Sequence, residues 1–285
     1  MTEILNESEI SLLKEKAKNI RISVIEMLAE AGSGHTAGSL GMADVFSLLY
    51  FHTLKHDPKN PEWTERDRLV LSNGHICPVL YGAMAHAGYF PIEELLTLRK
   101  FGSRLQGHPH REFFPFVETS SGPLGEGLSQ AIGMAFALRM DKKENFIYCL
   151  MGDGELDEGQ IWEAMMQAGK EKLGKIIGIV DRNNIQIDGT TDQVMPLEPL
   201  ADKFRAFNWH TQEVDGHDFQ ALNTAIEEAK AVTDKPSIII AKTISGKCVL
   251  EIECDYKWHG KAPNKEEAER FINILKNTPQ KKAHQ

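Results

Sequence analysis

The chain has 285 residues and carries 41 acidic against 32 basic side chains, for a formal net charge of −9 at neutral pH. This acid excess disfavours non-specific nucleic-acid binding, because such binding depends on neutralising phosphates with Lys and Arg. With 41% apolar residues the chain can bury a sizeable core, yet no apolar run reaches the roughly 18 residues of a membrane span. We therefore expect a globular protein that acts neither on nucleic acid nor in a membrane.

Cysteine usage and the N-terminus indicate the compartment. Cys77, Cys149, Cys248 and Cys254 show no paired spacing, which favours free thiols in a reducing environment over disulfides or a zinc site. The first ten residues, MTEILNESEI, are acidic and lack the apolar segment of a signal peptide. The sequence therefore predicts a cytoplasmic protein.

Helical patterns alternate with short apolar, β-rich runs along the chain. The helices are predicted at Glu7–Ala31, Gly41–Thr53, Pro91–Lys100, Gly125–Met140, Glu158–Lys172, Asp218–Val232 and Asn264–Leu275. The strands are predicted at Arg68–Ser72, Phe146–Met151, Ile176–Asp181, Trp209–Val214 and Ser237–Lys242. Their nearly continuous apolar character is typical of strands covered on both faces, so we expect an α/β fold with a mostly parallel sheet flanked by helices. Residues 1–276 are predicted to form one such domain with a helical N-terminal extension, and residues 277–285 a polar tail.

The segment GDGELDEG follows a predicted strand and begins at Gly152. Gly152 and Gly154 let a ligand approach the backbone closely, and the helix that follows offers its N-terminal N–H groups to an anion. Asp153 places a carboxylate at the carboxyl end of the strand, where α/β proteins bind ligands. No G-x-G-x-x-G follows a predicted strand, so a dinucleotide-binding fold is not supported.

Asn183 follows the next predicted strand, about thirty residues after Asp153, which is the length of one β-α-β unit. If the two strands are neighbours, their carboxyl ends lie only ~4.8 Å apart. Asp153, Asn183 and the backbone carbonyl of Ile185 then offer hard oxygen ligands that suit Mg²⁺ or Ca²⁺, with a diphosphate and water completing the shell. Either element alone is more typical of an ordinary turn or loop, so the interpretation depends on the pair at this spacing.

Four of the 11 histidines lie beside glycine in predicted loops, namely His35, His75, His108 and His259. A single histidine in such a loop is exposed more often than it is functional, but four loops near sheet ends could converge on one site. Imidazoles exchange protons near neutral pH and hydrogen-bond hydroxyls, which suits a polyhydroxylated substrate.

The loop SGPLGEG opens a long predicted helix. Helix capping and packing account for part of its composition. The functional interpretation is that Gly122 and Leu124 place backbone against a flat heterocycle.

Seven motifs occur in one order between about residue 10 and about residue 270: GHTAGSLG, LSNGH, GHP, GPLGEG, GDGELDEG, NNIQIDG and WHGKAP. Together they resemble the diphosphate-binding half of a transketolase, a thiamine-diphosphate enzyme. GDG followed by NN would fit any thiamine-diphosphate enzyme, whereas the collinear set is specific. The resemblance implies the thiamine-diphosphate-binding fold of that family and transfer of a two-carbon ketol unit from a ketose to an aldose.

The resemblance also implies a role for each matching position. The divalent ion, Mg²⁺ or Ca²⁺, would be bound by Asp153, Asn183 and the carbonyl of Ile185. Cofactor contacts would come from His75, Gly122, Leu124, Gly152, Asp153, Gly154, Asn183 and His259. Catalytic roles near the thiazolium and the sugar hydroxyls would fall to His35, His75, His108 and His259.

The sequence lacks one region that ordinary transketolases have, and two of its positions, Glu158 and Cys248, also bear on the resemblance. Ordinary transketolases continue into a domain whose glutamate bonds to the aminopyrimidine, and this sequence resembles instead the N-terminal subunit of a split, two-gene enzyme. The expected partner is a C-terminal subunit in a heterotetramer with two copies of each chain, and the expected substrates are sugars or sugar phosphates. Glu158 matches an acid of the family's subunit contacts, and Cys248 stands where relatives often have glycine.

Three other functions remain open at this point. The α subunit of a 2-oxo-acid dehydrogenase also carries GDG and NN, but an oxo acid needs fewer hydroxyl contacts than four histidines provide. A deoxyxylulose-phosphate synthase fits less well, because that enzyme is a single chain. A non-catalytic thiamine-diphosphate-binding subunit would need only the diphosphate ligands and not the histidines.

Overall fold

A five-stranded parallel sheet organises the chain in the computed structural model, which describes residues 4–277. Its strands are β1 (Arg68–Leu71), β2 (Ile147–Gly152), β3 (Ile176–Arg182), β6 (His210–Asp215) and β7 (Ser237–Lys242). Their order across the sheet is β1-β2-β3-β7-β6, and each neighbouring pair is parallel. A short antiparallel pair, β4 (Ile185–Gln186) and β5 (Gly189–Thr190), follows β3. The α/β fold with a mostly parallel sheet is thus confirmed.

Helices cover both faces of this sheet. They are α1 (Glu7–Ala31), α2 (Thr36–Gly41), α3 (Ala43–Leu48), α4 (Cys77–His86), α5 (Glu126–Met140), α6 (Gly159–Lys170), α7 (Thr191–Val194), α8 (Leu200–Ala206), α9 (Phe219–Ala231) and α10 (Lys265–Asn277). Successive residues of a strand point to opposite faces. Along β2, Cys149 and Met151 join the core under α5, α6 and α8, whereas Tyr148 and Leu150 join the core under α1, α3, α4 and α9.

The long first helix is fixed at both ends by local chemistry. The Asn6 side chain accepts the Glu9 backbone N–H, and the Glu9 side chain in turn accepts the Asn6 N–H, which satisfies two groups at the helix start. Gly32 ends the helix with φ of 67°, a left-handed conformation that glycine adopts without strain. Because α1 packs against α3, α4 and α10, this extension belongs to the core and delivers the loop that follows it to the sheet edge.

The structure differs from the sequence prediction in several places, and the short elements β4, β5, α7 and α8 were not predicted. The predicted helix over Gly41–Thr53 is α2 and α3 followed by a π-helical turn at Leu49–Thr53, and the segment predicted at Pro91–Lys100 is a 3₁₀ helix over Ile92–Thr97. Helix α4 was not predicted, because all but its last residue are buried and it has no polar stripe to give a periodic signal. Strand β6 is an edge strand with no buried residue, unlike the central strands β2, β3 and β7.

The C-terminal part of the predicted domain is helical up to residue 277, the last residue that the structure describes. Helix α10 includes Asn277, and residues 278–285 lie outside the described residues, so the polar tail stays a prediction. Across residues 4–277, every helix is too short or too polar to cross a membrane.

Candidate functional site at the carboxyl edge of the sheet

The carboxyl ends of β2 and β3 lie side by side. Gly152 of β2 pairs with Asp181 of β3, and the Asp153 N–H donates to the Asp181 carbonyl at 3.2 Å. The prediction that these two strands are neighbours is confirmed. As a consequence, the GDG turn and the loop that begins at Asn183 face each other across one inter-strand spacing.

Asp153 is buried and held from several sides. Its carboxylate accepts the Gly154 N–H at 2.8 Å, the Asn184 N–H at 2.6 Å and the Arg182 guanidinium at 3.1 Å. Burial raises the pKa of Asp153 above its ordinary value, against the lowering effect of Asn184 and Arg182. These three donors leave part of the carboxylate's capacity of about four acceptor sites free for another ligand.

The Asn183 amide is oriented by the backbone and by a second acid. Its Nδ2 donates to Asp181 at 2.9 Å, and its Oδ1 accepts the Ile185 N–H at 2.9 Å. Asp181 in turn accepts the Thr243 hydroxyl. Burial raises the pKa of Asp181 to about 7, although the Thr243 hydroxyl opposes the rise. A carboxylate, an amide oxygen and the nearby backbone of Ile185 form a set of hard oxygen donors, the kind that Mg²⁺ and Ca²⁺ prefer.

The four glycine-flanked histidines converge beside this edge. Ring centroids of His35 lie 4.9 Å from His75, 5.5 Å from His259 and 6.3 Å from His108, and those of His75 and His259 are 5.2 Å apart. Burial, followed by the neighbouring His259, His108 and Arg99, lowers the pKa of His35 to about 4. Burial is also the main cause that lowers the pKa of each of the other three. The four imidazoles are therefore neutral at pH 7, each able to donate one hydrogen bond and accept one.

Tight backbone turns deliver these rings. A Cβ on Gly74 would lie 2.3 Å from the Ser121 hydroxyl, so only glycine fits immediately before His75. His259 follows a 3₁₀ turn anchored by Trp258, whose ring packs edge-on against Phe271 of α10 at 5.5 Å.

Cys248 lies in the loop between β7 and His259 and adopts φ of 74°. This left-handed conformation favours glycine, which explains why glycine suits the position. The loop is nevertheless held, because the Cys248 N–H donates to Glu253 at 2.9 Å.

All the predicted site residues line one cleft with a volume of about 320 Å³, a size that suits a small ligand. They are His35, His75, His108, Gly122, Leu124, Gly152, Asp153, Gly154, Asn183, Ile185 and His259. The structure thus brings the metal-ligand candidates and the histidines together, and their individual roles stay predictions. Glu158, the predicted subunit-contact residue, is exposed and lies outside the cleft at the start of α6.

Further cleft residues were missed by the sequence interpretation. Asn73 directly precedes Gly74, and Glu155 directly follows Gly154, so both stood inside motifs already identified. Glu155 accepts the Ser72 hydroxyl, the Gly125 N–H at 2.8 Å and the Gly152 N–H at 2.9 Å. One buried carboxylate therefore ties three loops of the site together. Gly38, Asp181, Gln186, Ile187 and Asp188 complete the lining.

Comparison with known proteins identifies this arrangement. The family model "Transketolase, thiamine diphosphate binding domain" matches residues 13–283. The chain belongs to the transketolase family. Specifically, it matches the thiamine-diphosphate-binding domain of these enzymes.

Two similar proteins are subunits of comparable length. The chain is 48% identical to the 6-deoxy-6-sulfo-D-fructose transketolase subunit SqwG of Clostridium sp. (strain MSTE9), with 85% of this chain and 88% of that protein covered. It is 38% identical to an apulose-4-phosphate transketolase subunit of Phocaeicola vulgatus, with 93% and 94% covered.

A solved transketolase structure shares the fold. The structure of transketolase from Leishmania mexicana superposes with a TM-score of 0.88 at 34% identity, covering 95% of this chain. Only 42% of that longer protein is matched. The chain therefore spans most of the subunit-type relatives and less than half of this single-chain one.

Proposed function

We propose that this chain is the N-terminal subunit of a transketolase that transfers a two-carbon ketol unit from a ketose to an aldose in the cytoplasm. The observation that carries the proposal is the single cleft in which the Asp153–Asn183 edge adjoins four neutral histidines. The first group suits a metal diphosphate, and the second suits a polyhydroxylated substrate. Both are requirements of ketol transfer with thiamine diphosphate.

The residues present fit the cofactor and its ion. Among the described residues, no cluster of three or more His, Cys, Asp or Glu is placed to hold a metal ion by itself. A divalent cation here would take Asp153, Asn183 and the Ile185 carbonyl as protein ligands and complete its shell from the diphosphate and water. Thiamine diphosphate, when bound, supplies the carbon nucleophile and the electron sink of the reaction.

The side chains of this chain bind the substrate and carry its protons. Neutral His35, His75, His108 and His259 can each donate to one hydroxyl and accept from another. Because an imidazole that is neutral at pH 7 has a free ring nitrogen, each can accept a proton from a sugar hydroxyl and return it.

A separate C-terminal subunit is part of the proposal. Relatives that match this chain over nearly their whole length are named as subunits, whereas the single-chain transketolase is more than twice as long. At the rim of the cleft Ile187 is 70% exposed, an apolar side chain that a partner chain would cover. We propose that two copies of each chain assemble, with the cofactor between unlike subunits.

The test is reconstitution of ketol transfer. The full chain is assayed with thiamine diphosphate and Mg²⁺, alone and with the product of a neighbouring gene that encodes the pyrimidine-binding part. Donors are a ketose phosphate and 6-deoxy-6-sulfo-D-fructose, because the two subunit-type relatives are named for sugars with one or the other anionic group. A 2-oxo acid serves as the negative control.

We expect turnover only with the partner and only with a ketose donor. Robust transfer by this chain alone would contradict the split enzyme. Decarboxylation of the 2-oxo acid in place of ketol transfer would contradict the reaction class.

A further inference from the structure

Asn73 is a buried amide without a hydrogen-bond partner in the cleft. It is 1% exposed, and neither its Oδ1 nor its Nδ2 is bonded to any group of the described residues. Its backbone carbonyl accepts the Ile76 N–H at 3.1 Å. Both polar atoms of the side chain are therefore unpaired, and the residue lines the cleft.

An unpaired amide in this place needs a physical reason. Burying a polar group without a partner destabilises a protein, and native structures rarely tolerate it without a ligand or a function. The neighbouring Ser72 shows the alternative, because its hydroxyl donates to Glu155 and accepts the Gly127 N–H at 3.0 Å. The Ser72 side chain is thus hydrogen-bonded within the protein, whereas the side chain of the next residue, Asn73, is unpaired at the cleft.

The surroundings of Asn73 point to the kind of group that it meets. A Cβ built on Gly152 would lie 3.8 Å from Asn73 Nδ2, so the amide faces the GDG turn rather than the far end of the cleft. Three buried acids, Asp153, Glu155 and Asp181, also line this end. A diphosphate has acceptors and no donors, so it requires neutral or positive donors here.

We propose that the Asn73 amide donates a hydrogen bond through Nδ2 to the diphosphate of the bound cofactor. This inference rests on the proposed function, because it takes thiamine diphosphate as the occupant of the cleft. Asn73 then acts together with the Gly154 backbone and the Asp153 ion site on the same group. It binds the cofactor and has no part in bond making.

The test separates ligand binding from stability. Full-length wild-type chain, Asn73→Ala and Asn73→Asp, each with the partner subunit present, are titrated by calorimetry with thiamine diphosphate and with inorganic pyrophosphate, in each case with Mg²⁺. Hydrogen bonds to charged groups are among the stronger ones, so we expect Asn73→Ala to weaken binding of both ligands by about tenfold or more. Asn73→Asp weakens it further, because a carboxylate replaces the donor.

Melting temperatures without ligand give the second measurement. Because the amide is unpaired in the unliganded chain, Asn73→Ala leaves the melting temperature unchanged or raises it, and lowers only the ligand-induced increase.

Asn145→Ala is the matched control. That buried amide donates to the Thr64 carbonyl at 3.1 Å and to the Arg66 carbonyl at 2.5 Å, away from the cleft. Its loss lowers the melting temperature and leaves the ligand-induced increase intact.

The outcomes distinguish a failure of this inference from a failure of the proposed function. Wild-type affinity of Asn73→Ala for both ligands, with binding by the wild-type chain established, overturns the role of Asn73 and leaves the cofactor in place. A lower melting temperature in unliganded Asn73→Ala together with unchanged affinity assigns the side chain to the fold and overturns the inference. Failure of the wild-type chain to bind either ligand contradicts the proposed cofactor, and the inference falls with it.

Discussion

Two polar clusters of this molecule differ in how completely they are paired. In the first, which we name the paired cluster, Arg21 of α1 bonds to Asp44 of α3 through both terminal nitrogens, at 3.0 and 2.6 Å. His217 donates to the same carboxylate at 2.7 Å and accepts the Ile244 N–H at 2.8 Å. Burial would raise the pKa of Asp44, but Arg21 and His217 outweigh it and lower the value to about 2.

The second is the histidine cluster of His35, His75, His108 and His259 in the cleft. Its rings contact one another, and His35 Nδ1 is buried with no partner among the described residues. No carboxylate is among the groups that shift the pKa values of these rings, which all fall. The difference is that the paired cluster does not line the cleft, whereas the histidine cluster lines it and leaves a buried ring nitrogen without a partner.

Breaking the paired cluster has the largest expected effect. Asp44→Ala leaves the Arg21 charge buried without its partner, so we expect the free energy of unfolding to fall by about 3–5 kcal/mol in urea titrations. Asp202→Ala is the control, since its ion pair with Arg205 is exposed and contributes less than about 1 kcal/mol. Equal effects of the two variants would contradict the distinction between the clusters.

Breaking the histidine cluster acts on turnover instead. His259→Ala removes a proton carrier and leaves the candidate ion ligands intact, so we expect turnover to fall by about a hundredfold and cofactor affinity to change far less. Steady-state kinetics with the partner subunit present measure both. His210→Ala is the matched control, because His210 begins β6 at the opposite edge of the sheet. A wild-type rate for His259→Ala would return this histidine to a structural role.

Lowering the pH has a smaller expected effect, and the two clusters lose their contributions to folding stability over different pH ranges. The pKa of His35 is about 4 in the fold against 6.5 for an ordinary histidine, so the unfolded chain binds more protons between these values. Stability therefore falls as the pH drops from about 6.5 towards 4. The Asp44 contribution is lost only below its ordinary pKa of 3.8, on the way to its folded value of about 2.

The His35→Gln variant isolates the histidine contribution. We expect its unfolding free energy to decline less than that of the wild type between pH 7 and pH 5, by about 1 kcal/mol after allowance for solvent screening. Urea titrations at several pH values measure the difference. Parallel declines in the two proteins would contradict the lowered pKa.

The sequence predicted the elements whose signal is local. Helix α1 and strand β7 were predicted with their observed bounds, because a capping residue and a left-handed glycine delimit the first and an apolar run delimits the second. Helix α4 escaped because a helix buried on all sides shows no periodicity. The partners of β1 and β6 at the sheet margins also depend on chain connections that no local pattern encodes.

The site was predictable to a similar depth. Motifs gave the positions of Asp153, Asn183 and the histidines, since glycine turns and strand ends mark them locally. The roles of Ser72 and Glu155 could not be predicted, because their hydrogen bonds connect residues that lie 83 positions apart. That the Asn73 side chain is unpaired likewise depends on packing, so it could not be predicted from the sequence.

The central claim is that Asp153 anchors the diphosphate of thiamine diphosphate through a divalent ion, and one measurement tests it most directly. Cofactor affinity is determined by calorimetry, with the partner subunit present, for wild type and Asp153→Ala in Mg²⁺ and in a chelator. We predict that wild-type binding depends on Mg²⁺, and that Asp153→Ala binds in Mg²⁺ only as weakly as the wild type does in the chelator. Wild-type affinity in Asp153→Ala, or wild-type binding that is indifferent to the chelator, would contradict the claim.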